Sequence, residues 1–177
     1  MTVTEGVFVG LGSNLENRVE NISRATDKIR IKSVRLKSSS VYQSNAVGFS
    51  NQPRFLNSVC EVTTRLSLWD FLSLLMSVER NLGRSRSFHN SPRLIDLDIL
   101  LWGSAKFHQP GLVIPHPRMM ERGFVLAPLL ELRPSLTHPC SGDSLRSIFE
   151  ALNDFEKPSR KNVFRPSLAS LAAGDWE

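Results

Sequence analysis

The stretch SPRLIDLDILLW (Ser91–Trp102) reads as a buried strand that contains two acidic residues. Most of its residues are aliphatic, and such runs favour a strand in the core of a sheet. Asp96 and Asp98 lie two positions apart, shortly after Arg93. Because side chains alternate along a strand, we expect both carboxylates on one face and Leu97 on the other. A buried carboxylate is costly unless it is paired or binds a metal, so both aspartates need a partner.

The segments before this strand alternate between strand and helix patterns. Short β-branched runs are typical of strands, and apolar residues at a 3.6-residue period are typical of helices. They predict a strand at 6–12, a helix at 13–29 capped by Ser13 or Asn14, strands at 33–44 and 55–66, and a helix from Ser67 to Gly83. With the strand at 91–102 the order is β-α-β-β-α-β, an α+β fold of the ferredoxin-like type. Helical segments at 118–132 and 143–152 are expected to follow as additional C-terminal helices.

The composition fits one globular domain. The 177 residues are 41% hydrophobic and 22% charged, which suffices for a sizeable core. We expect a catalytic domain over residues 1–156 and a basic, loosely attached tail over 157–177, with no room for a second catalytic domain. Cys60 and Cys140 are far apart, which argues against a disulfide framework or a zinc site and favours a reducing compartment.

Targeting and membrane signals are not recognised in the sequence. The first residues lack a basic region before an apolar run, and no window approaches about 18 apolar residues. We therefore expect a cytoplasmic protein, monomeric and without a membrane partner. A net charge of +5 and an isoelectric point near 9.7 indicate an anionic partner, either nucleic acid or a phosphorylated small molecule.

The surroundings of the two aspartates favour a phosphorylated partner. Two carboxylates on one strand face, without histidine or cysteine, suit Mg²⁺, although a pair of this kind can also form salt bridges alone. Arginines around such a pair are typical of phosphoryl transfer, because they neutralise phosphate charge. A solvated basic loop is the plainer interpretation of any single one. The arginines are Arg84, Arg86, Arg93, Arg118 and Arg122.

Other motifs are less specific. His116 lies between two prolines and can either donate to a phosphate or serve as a structural hydrogen-bonding residue. The GLGSN segment (Gly10–Asn14) is interpreted as a strand-to-helix turn. The sequence contains no P-loop, no kinase glycine-rich loop and no G-x-S-x-G elbow.

Four motifs taken together resemble a known family. In chain order they are GLGSN, FLNSV, SPRLIDLDILLWG and IPHPRMMERGFVLAPLLEL. In this order and spacing, over about Gly6 to Leu152, they resemble the 6-hydroxymethyl-7,8-dihydropterin pyrophosphokinases of folate biosynthesis. The resemblance implies in-line attack of the pterin hydroxyl on the β-phosphorus of ATP, which gives the pterin diphosphate and AMP.

The resemblance also implies a phosphate and metal site. Asp96 and Asp98 would hold two Mg²⁺ ions that bridge the ATP phosphates, with Asp96 also near the pterin. Arg84 and Arg93 resemble the catalytic arginines of the family. The nucleotide contacts implied by the resemblance are Glu79, Arg86, His116 and Arg122.

The pterin site follows from the same resemblance. The ring would lie between Phe55 and Phe124, with Asn57 hydrogen-bonded to its polar edge. Ser44 and Val47 match first-loop positions that contact the pterin. Two loops, 45–53 and 84–91, would close over the substrates and exclude water. Ala46 and Asn90 depart from the proline and the aromatic residue found there in relatives, so the first loop is expected to be more flexible.

Two alternative functions remain open at this point. A ferredoxin-like nucleic-acid-binding module would fit the basic charge, but the middle strands lack the aromatic RNP1 pattern of such modules. A catalytically inactive binding protein of the same fold is the other alternative.

Overall fold

An antiparallel sheet forms the middle layer of the molecule. The computed structural model describes residues 2–45, 53–83, 92–153 and 157–161. The strands are β1 (Thr4–Ser13), β2 (Arg35–Ser38), β3 (Val41–Ser44), β4 (Phe55–Thr64), β5 (Asp96–Trp102), β6 (Phe107–Gln109), β7 (Leu112–Ile114) and β8 (Ser159–Lys161). The order across the sheet is β5-β1-β4-β3-β8, and β2 also pairs with β4. β6 and β7 form a separate hairpin.

Helices cover both faces of the sheet. They are α1 (Arg18–Ile31), α2 (Leu68–Asn81), α3 (Gly123–Leu132) and α4 (Leu145–Ala151). Alternation along β1 sends Val7 and Val9 into a core with α1 and α2, whereas Phe8 packs in a second core with α3 and α4. None of the helices in the described ranges is long and apolar enough to cross a membrane.

The predicted combination of strands and helices is confirmed, and the central strands pair antiparallel. The two long central strands, β1 and β4, are ten residues each, and they lie side by side with β5 on the outer side of β1. The predicted second helix is also confirmed, since the side chain of Ser67 caps α2 by accepting a hydrogen bond from the Asp70 N–H.

The prediction of one continuous strand over 33–44 is wrong. β2 and β3 both pair with β4, but the register changes by one residue between Ser38 opposite Cys60 and Tyr42 opposite Asn57. In the interruption, the Ser39 hydroxyl accepts the Val59 N–H at 3.0 Å. Side-chain hydrogen bonds therefore replace part of the ladder, as in a β-bulge.

The start of the first helix was predicted too early. α1 is capped by Asn17, whose side chain accepts the Glu20 N–H at 3.2 Å, rather than by Ser13 or Asn14. Glu16 has a positive φ of 53°, a conformation that cannot belong to a right-handed helix. The helix therefore begins only after this residue.

Two further boundaries differ from the predictions. β5 begins at Asp96 instead of Ser91, because the preceding backbone bonds outside the sheet: Asn14 donates its N–H to the Arg93 carbonyl. The predicted helix over 118–132 is broken at Arg122, which has extended φ and ψ between a 3₁₀ turn (Met119–Glu121) and α3. The β6–β7 hairpin follows β5 and precedes the 3₁₀ turn.

The described part of the predicted tail is paired with the sheet. β8 lies antiparallel to β3, with Arg160 opposite Tyr42, and the Arg160 guanidinium donates to the Ser40 hydroxyl at 2.7 Å. Residues 162–177 lie outside the described residues, so the predicted domain boundary at residue 157 stays a prediction.

Candidate active site

A cleft opens on the face of the sheet that carries α3. Its floor is β1, where Gly10 and Gly12 face the cleft without side chains. A Cβ added to Gly12 would lie 3.4 Å from Asn57 Oδ1, and one added to Gly10 would lie 3.4 Å from a Leu100 methyl. The two glycines therefore keep the floor low between the flanking strands. The other lining residues are Leu11, Ser44, Asn45, Phe55, Ser58, Val59, Arg93, Asp96, Asp98, Arg122, Phe124 and Val125.

The strand register places carboxylates on one side of this floor and an amide and an apolar side chain on the other. Gly12 is opposite Asn57 of β4 on one side and opposite Asp96 of β5 on the other. Gly10 is likewise flanked by Val59 and Asp98. One wall of the cleft is thus acidic, and the other presents an amide and apolar groups.

Asp96 and Asp98 share one face of β5, as alternation predicted. Both line the cleft, whereas Leu97 between them is buried in the opposite core. Arg93 donates to Asp96 Oδ2 at 2.7 Å, and both side chains are largely buried. The structure therefore brings together three of the predicted site residues.

The carboxylate pair has the donor chemistry of a Mg²⁺ site completed by other ligands. Among the described residues, no group of three or more His, Cys, Asp or Glu side chains could hold a metal ion. Asp96 and Asp98 would therefore supply two carboxylates to such an ion, and water or phosphate oxygens would fill the remaining positions. Mg²⁺ is commonly bound in this way, so the residues fit the predicted ion.

Arg122 enters the cleft from the break that precedes α3. Within the described ranges its Nε is buried and has no hydrogen-bond partner, and its guanidinium lies 5.7 Å from the centre of the Phe124 ring. Burial and the charge of Arg118 lower the pKa of Arg122, while Asp98 and Asp96 act in the opposite direction. A half-buried cation in the lining of the cleft is suited to an anionic ligand.

His116 lies close enough to the cleft for the charges of Arg122 and Asp96 to act on its pKa. Its Nδ1 accepts the Arg118 N–H at 3.2 Å, which leaves Nε2 as the protonated nitrogen of a neutral ring. Burial, assisted by the charge of Arg122, lowers the pKa of His116 to about 4. His116 is therefore neutral at pH 7 and can donate one hydrogen bond from Nε2.

Four of the predicted pterin residues line the cleft together with the acidic wall. Ser44, Phe55, Asn57 and Phe124 all line the cleft. Asn57 Nδ2 donates to the Ser44 hydroxyl at 3.0 Å, which fixes the orientation of the amide. Phe55 and Phe124 supply aromatic surfaces from the sheet and from α3.

Glu79 is not brought into the cleft. It is buried on α2, and its Oε1 accepts the Leu97 N–H at 2.8 Å. The carboxylate thus supports β5 between the two aspartates from the opposite face of the sheet. Its predicted contact with the nucleotide stays a prediction.

Several predicted features lie outside the described residues. They are Val47, Arg84 and Arg86, the departures at Ala46 and Asn90, the loop at 84–91 and most of the loop at 45–53. Sequence reasoning also missed two contributions. Gly10 and Gly12 are spaced by two on a strand, a signal of a shared face left without side chains. Asn14 was interpreted as part of a turn or as a helix cap, and not as a partner of Arg93.

Comparisons with known proteins agree on one family. The model of the family described as 7,8-dihydro-6-hydroxymethylpterin-pyrophosphokinase (HPPK) matches residues 8–134. A 2-amino-4-hydroxy-6-hydroxymethyldihydropteridine pyrophosphokinase from Aquifex aeolicus is 40% identical over 133 residues, which cover 75% of this chain and 83% of that protein.

Longer relatives contain a similar segment. The folic acid synthesis protein fol1 of Pneumocystis carinii is 43% identical over 153 residues, covering 86% of this chain and 21% of that protein. The chain thus spans about a fifth of the length of the fungal relatives it matches.

The fold is also similar to solved structures. A crystal structure of an HPPK-DHPS in complex with substrates superposes with a TM-score of 0.66 at 13% identity, covering 85% of this chain and 43% of that one. A Plasmodium falciparum HPPK-DHPS gives a TM-score of 0.65 at 14% identity, covering 83% of this chain and 44% of that one. These likenesses concern the fold, whereas the family model and the Aquifex relative establish that this chain belongs to the 7,8-dihydro-6-hydroxymethylpterin-pyrophosphokinase family.

Proposed function

We propose that the protein transfers the β,γ-pyrophosphoryl group of ATP to the hydroxymethyl group of 6-hydroxymethyl-7,8-dihydropterin. The products are AMP and the pterin diphosphate, in a step of folate biosynthesis. One observation supports this proposal beyond family membership: Asp96 faces Asn57 across Gly12, and Asp98 and Phe55 line the same cleft. An acidic wall for metal and phosphates and an aromatic, amide-bearing wall for a heterocycle are thus adjacent.

The ferredoxin-like type is the fold assignment that we propose. It is supported by the order β5-β1-β4-β3, in which the first strand lies between the last and the third main strands. Two helices pack on one face, as in a split β-α-β arrangement.

The Mg²⁺–ATP complex is proposed to bind along the acidic wall. Two Mg²⁺ ions held by Asp96 and Asp98 would offset the charge of the triphosphate and orient its oxygens. Arg93 is already fixed against Asp96 and would place its guanidinium beside the transferred group. Arg122, which lines the cleft, would donate from its guanidinium to a phosphate oxygen.

His116 would act as a neutral donor in the same region. A depressed pKa of about 4 keeps its ring uncharged, so its contribution is a hydrogen bond from Nε2 and not a positive charge. Charge stabilisation would then rest on the arginines. Arg84 and Arg86 are proposed to add to them.

The pterin is proposed to stack between Phe55 and Phe124. Asn57 would bind the polar edge of the ring, and its Oδ1 is the suitable acceptor because Nδ2 is engaged by Ser44. A pterin held there would present its hydroxymethyl group across Gly12 towards the phosphates near Asp96. Among the described residues no group is assigned as a general base, and positioning with electrostatic stabilisation supplies the main catalytic effect in phosphoryl transfer.

The nucleic-acid alternative is not favoured. The cleft face of the sheet carries two carboxylates, which would repel a phosphate backbone, and the family match supports a small-molecule transferase. A cytoplasmic location and a monomeric state remain predictions from the sequence.

An assay of product formation tests the proposal. Purified protein is incubated with ATP, Mg²⁺ and 6-hydroxymethyl-7,8-dihydropterin, and AMP and the pterin diphosphate are separated and quantified. We expect AMP to form only when the pterin is present. Absence of pterin-dependent AMP from folded protein would overturn the assignment.

A further inference from the structure

The turn after β1 makes a long-range connection to the candidate active site. Asn14 is 1% exposed, and its side-chain Oδ1 accepts the Arg93 N–H at 2.8 Å. Its own N–H donates to the Arg93 carbonyl at 3.2 Å. Two residues separated by 79 positions thus form a reciprocal pair of hydrogen bonds that engages both sides of the Arg93 backbone.

The Asn14 side of this pair is itself firmly held. Ser13, the preceding residue, belongs to β1 and is paired with Leu56. Its buried hydroxyl accepts from Asn21 Nδ2 at 3.3 Å, and the same amide donates to the Leu15 carbonyl at 3.1 Å. The turn is therefore anchored to the sheet on one side and to α1 on the other.

The Arg93 backbone is held by contacts other than the strand pairing of β5. Arg93 precedes β5, so no sheet ladder fixes its backbone. Its guanidinium nevertheless reaches Asp96 at 2.7 Å in the cleft. A side chain with many rotatable bonds keeps one position at lower entropic cost when its backbone is already fixed.

We propose that Asn14 is a positioning residue for catalysis, which holds the Arg93 backbone so that the Arg93 guanidinium stays beside Asp96 and the transferred phosphoryl group. This inference rests on the proposed function, because it assigns Arg93 to that reaction. Asn14 touches neither substrate in this account, and its effect is transmitted through Arg93.

The direct test compares Asn14→Ala, Arg93→Ala and the double variant in the AMP-release assay. A misplaced catalytic group can cost up to about 10²-fold in rate, so we expect Asn14→Ala to lower kcat by about 10-fold to 100-fold. KM for ATP should change by less than about twofold, since the lost interaction acts in the transition state. In the Arg93→Ala background, adding Asn14→Ala should lower kcat by less than about twofold, because coupled residues are not additive.

Two further variants separate positioning from simple stability. Asn17→Ala removes a side-chain hydrogen bond to the backbone in the same turn without touching a site residue, and it should leave kcat near the wild-type value. Asn14→Asp retains an acceptor oxygen for the Arg93 N–H and should keep kcat within about tenfold of wild type. If Asn14→Ala does not fold, Asn14→Asp serves as the test variant.

A measurement that needs no activity distinguishes failure of this inference from failure of the proposed function. Amide hydrogen exchange at Arg93, followed by NMR, should be slow in the wild type and in Asn14→Asp and fast in Asn14→Ala. If the wild-type protein releases no AMP, the proposed function is wrong, regardless of the rate of hydrogen exchange at Arg93. The positioning role is overturned if folded Asn14→Ala keeps wild-type kcat, or if the effects of Asn14→Ala and Arg93→Ala on kcat multiply in the double variant. It is also overturned if Asn14→Asp keeps the Arg93 amide protected from exchange yet loses kcat fully.

Discussion

Asn57 of β4 and Asp96 of β5 face each other across Gly12 of β1. A residue with no side chain thus separates the two groups proposed to bind the pterin and the metal–phosphate complex. The absence of a Cβ at Gly12 keeps the path between them open, so the geometry of the cleft depends on a backbone position as much as on the functional side chains.

Enlarging Gly12 should impair pterin binding before it impairs folding. An alanine Cβ would make ordinary contacts, 3.4 Å from Asn57 Oδ1 and 3.7 Å from Phe55 Cδ1, whereas valine would add methyl groups inside the cleft. Overpacking costs about 1–3 kcal/mol, so we expect Gly12→Val to raise KM for the pterin by about tenfold or more, and Gly12→Ala by less. Steady-state kinetics with thermal unfolding as the control would measure this. Equal KM values for the pterin in the wild type, Gly12→Ala and Gly12→Val would show that the bound pterin does not lie over Gly12.

The hydrogen bond that Glu79 accepts predicts a structural effect of keeping or losing an acceptor oxygen at this position. Glu79→Gln keeps an acceptor for the Leu97 N–H, while Glu79→Ala leaves this buried donor unsatisfied. Loss of such a partner costs about 1–3 kcal/mol, so Glu79→Ala should lower the free energy of unfolding by that amount and Glu79→Gln by clearly less. Urea denaturation measures both. A large rise in KM for ATP in Glu79→Gln, at normal stability, would instead support the nucleotide contact predicted from the sequence.

His116 should make stability depend on pH in the acidic range. Its pKa is lowered from 6.5 to about 4 in the folded protein, so between these values the unfolded state binds more protons at this site. Stability from this group is therefore complete above about pH 6.5 and declines as the pH falls towards 4.

The matched variant is His116→Asn, which offers an acceptor for the Arg118 N–H and does not titrate. We expect the unfolding free energy of the wild type to fall more steeply between pH 6.5 and 4 than that of the variant. An NMR titration of the His116 ring gives the pKa directly. A midpoint near 6.5 would contradict the burial account.

Glu131 should be important for the attachment of β3 to α3 and β8. Its carboxylate accepts hydrogen bonds from the Ser40 N–H and hydroxyl and from the Tyr42 hydroxyl, and it lies 3.7 Å from the Arg160 guanidinium. Glu131→Ala would leave half-buried donors without their acceptor, at a cost of about 1–3 kcal/mol.

The control for this variant is Glu121→Ala, which removes an exposed ion pair with Arg118 worth at most about 1 kcal/mol. Chemical denaturation of both variants checks the difference. Similar small losses in the two proteins would mean that the Glu131 cluster contributes little. The pKa of Glu131 is lowered by hydrogen bonds from Ser40 despite the opposing effect of burial, so its contribution should be lost as the pH falls through the folded pKa, below 4.5.

The acidic half of the site was predictable from local rules. Alternation places Asp96 and Asp98 on one face, and both do line the cleft. The nearby arginines indicated a phosphate. Of the described ones, Arg93 and Arg122 line the cleft, whereas Arg118 does not line it and pairs with Glu121. The pterin side required the resemblance to a family, because a phenylalanine and an asparagine on a strand carry no signal of a heterocycle.

The remaining differences arise from contacts between distant parts of the chain. Asn14 resembles a helix cap in the sequence, but its side chain is engaged by Arg93, so the cap falls on Asn17. Ser39 interrupts a strand because its hydroxyl binds the Val59 N–H of the neighbouring strand. Local propensity cannot reveal such partners, since they are set by the assembled sheet.

The most direct test of the central claim is pterin-dependent AMP release with Mg²⁺ by Asp96→Ala and Asp98→Ala, compared with the wild type. Asp143→Ala, which removes an exposed carboxylate that does not line the cleft, serves as the matched control. Removing a group that stabilises charge in the transition state costs on the order of 10²–10³-fold in kcat. We predict at least about a 10²-fold loss for each cleft variant at unchanged fold, and wild-type turnover for Asp143→Ala. Near-normal turnover by either cleft variant would contradict the claim that this carboxylate pair holds the metal and the triphosphate.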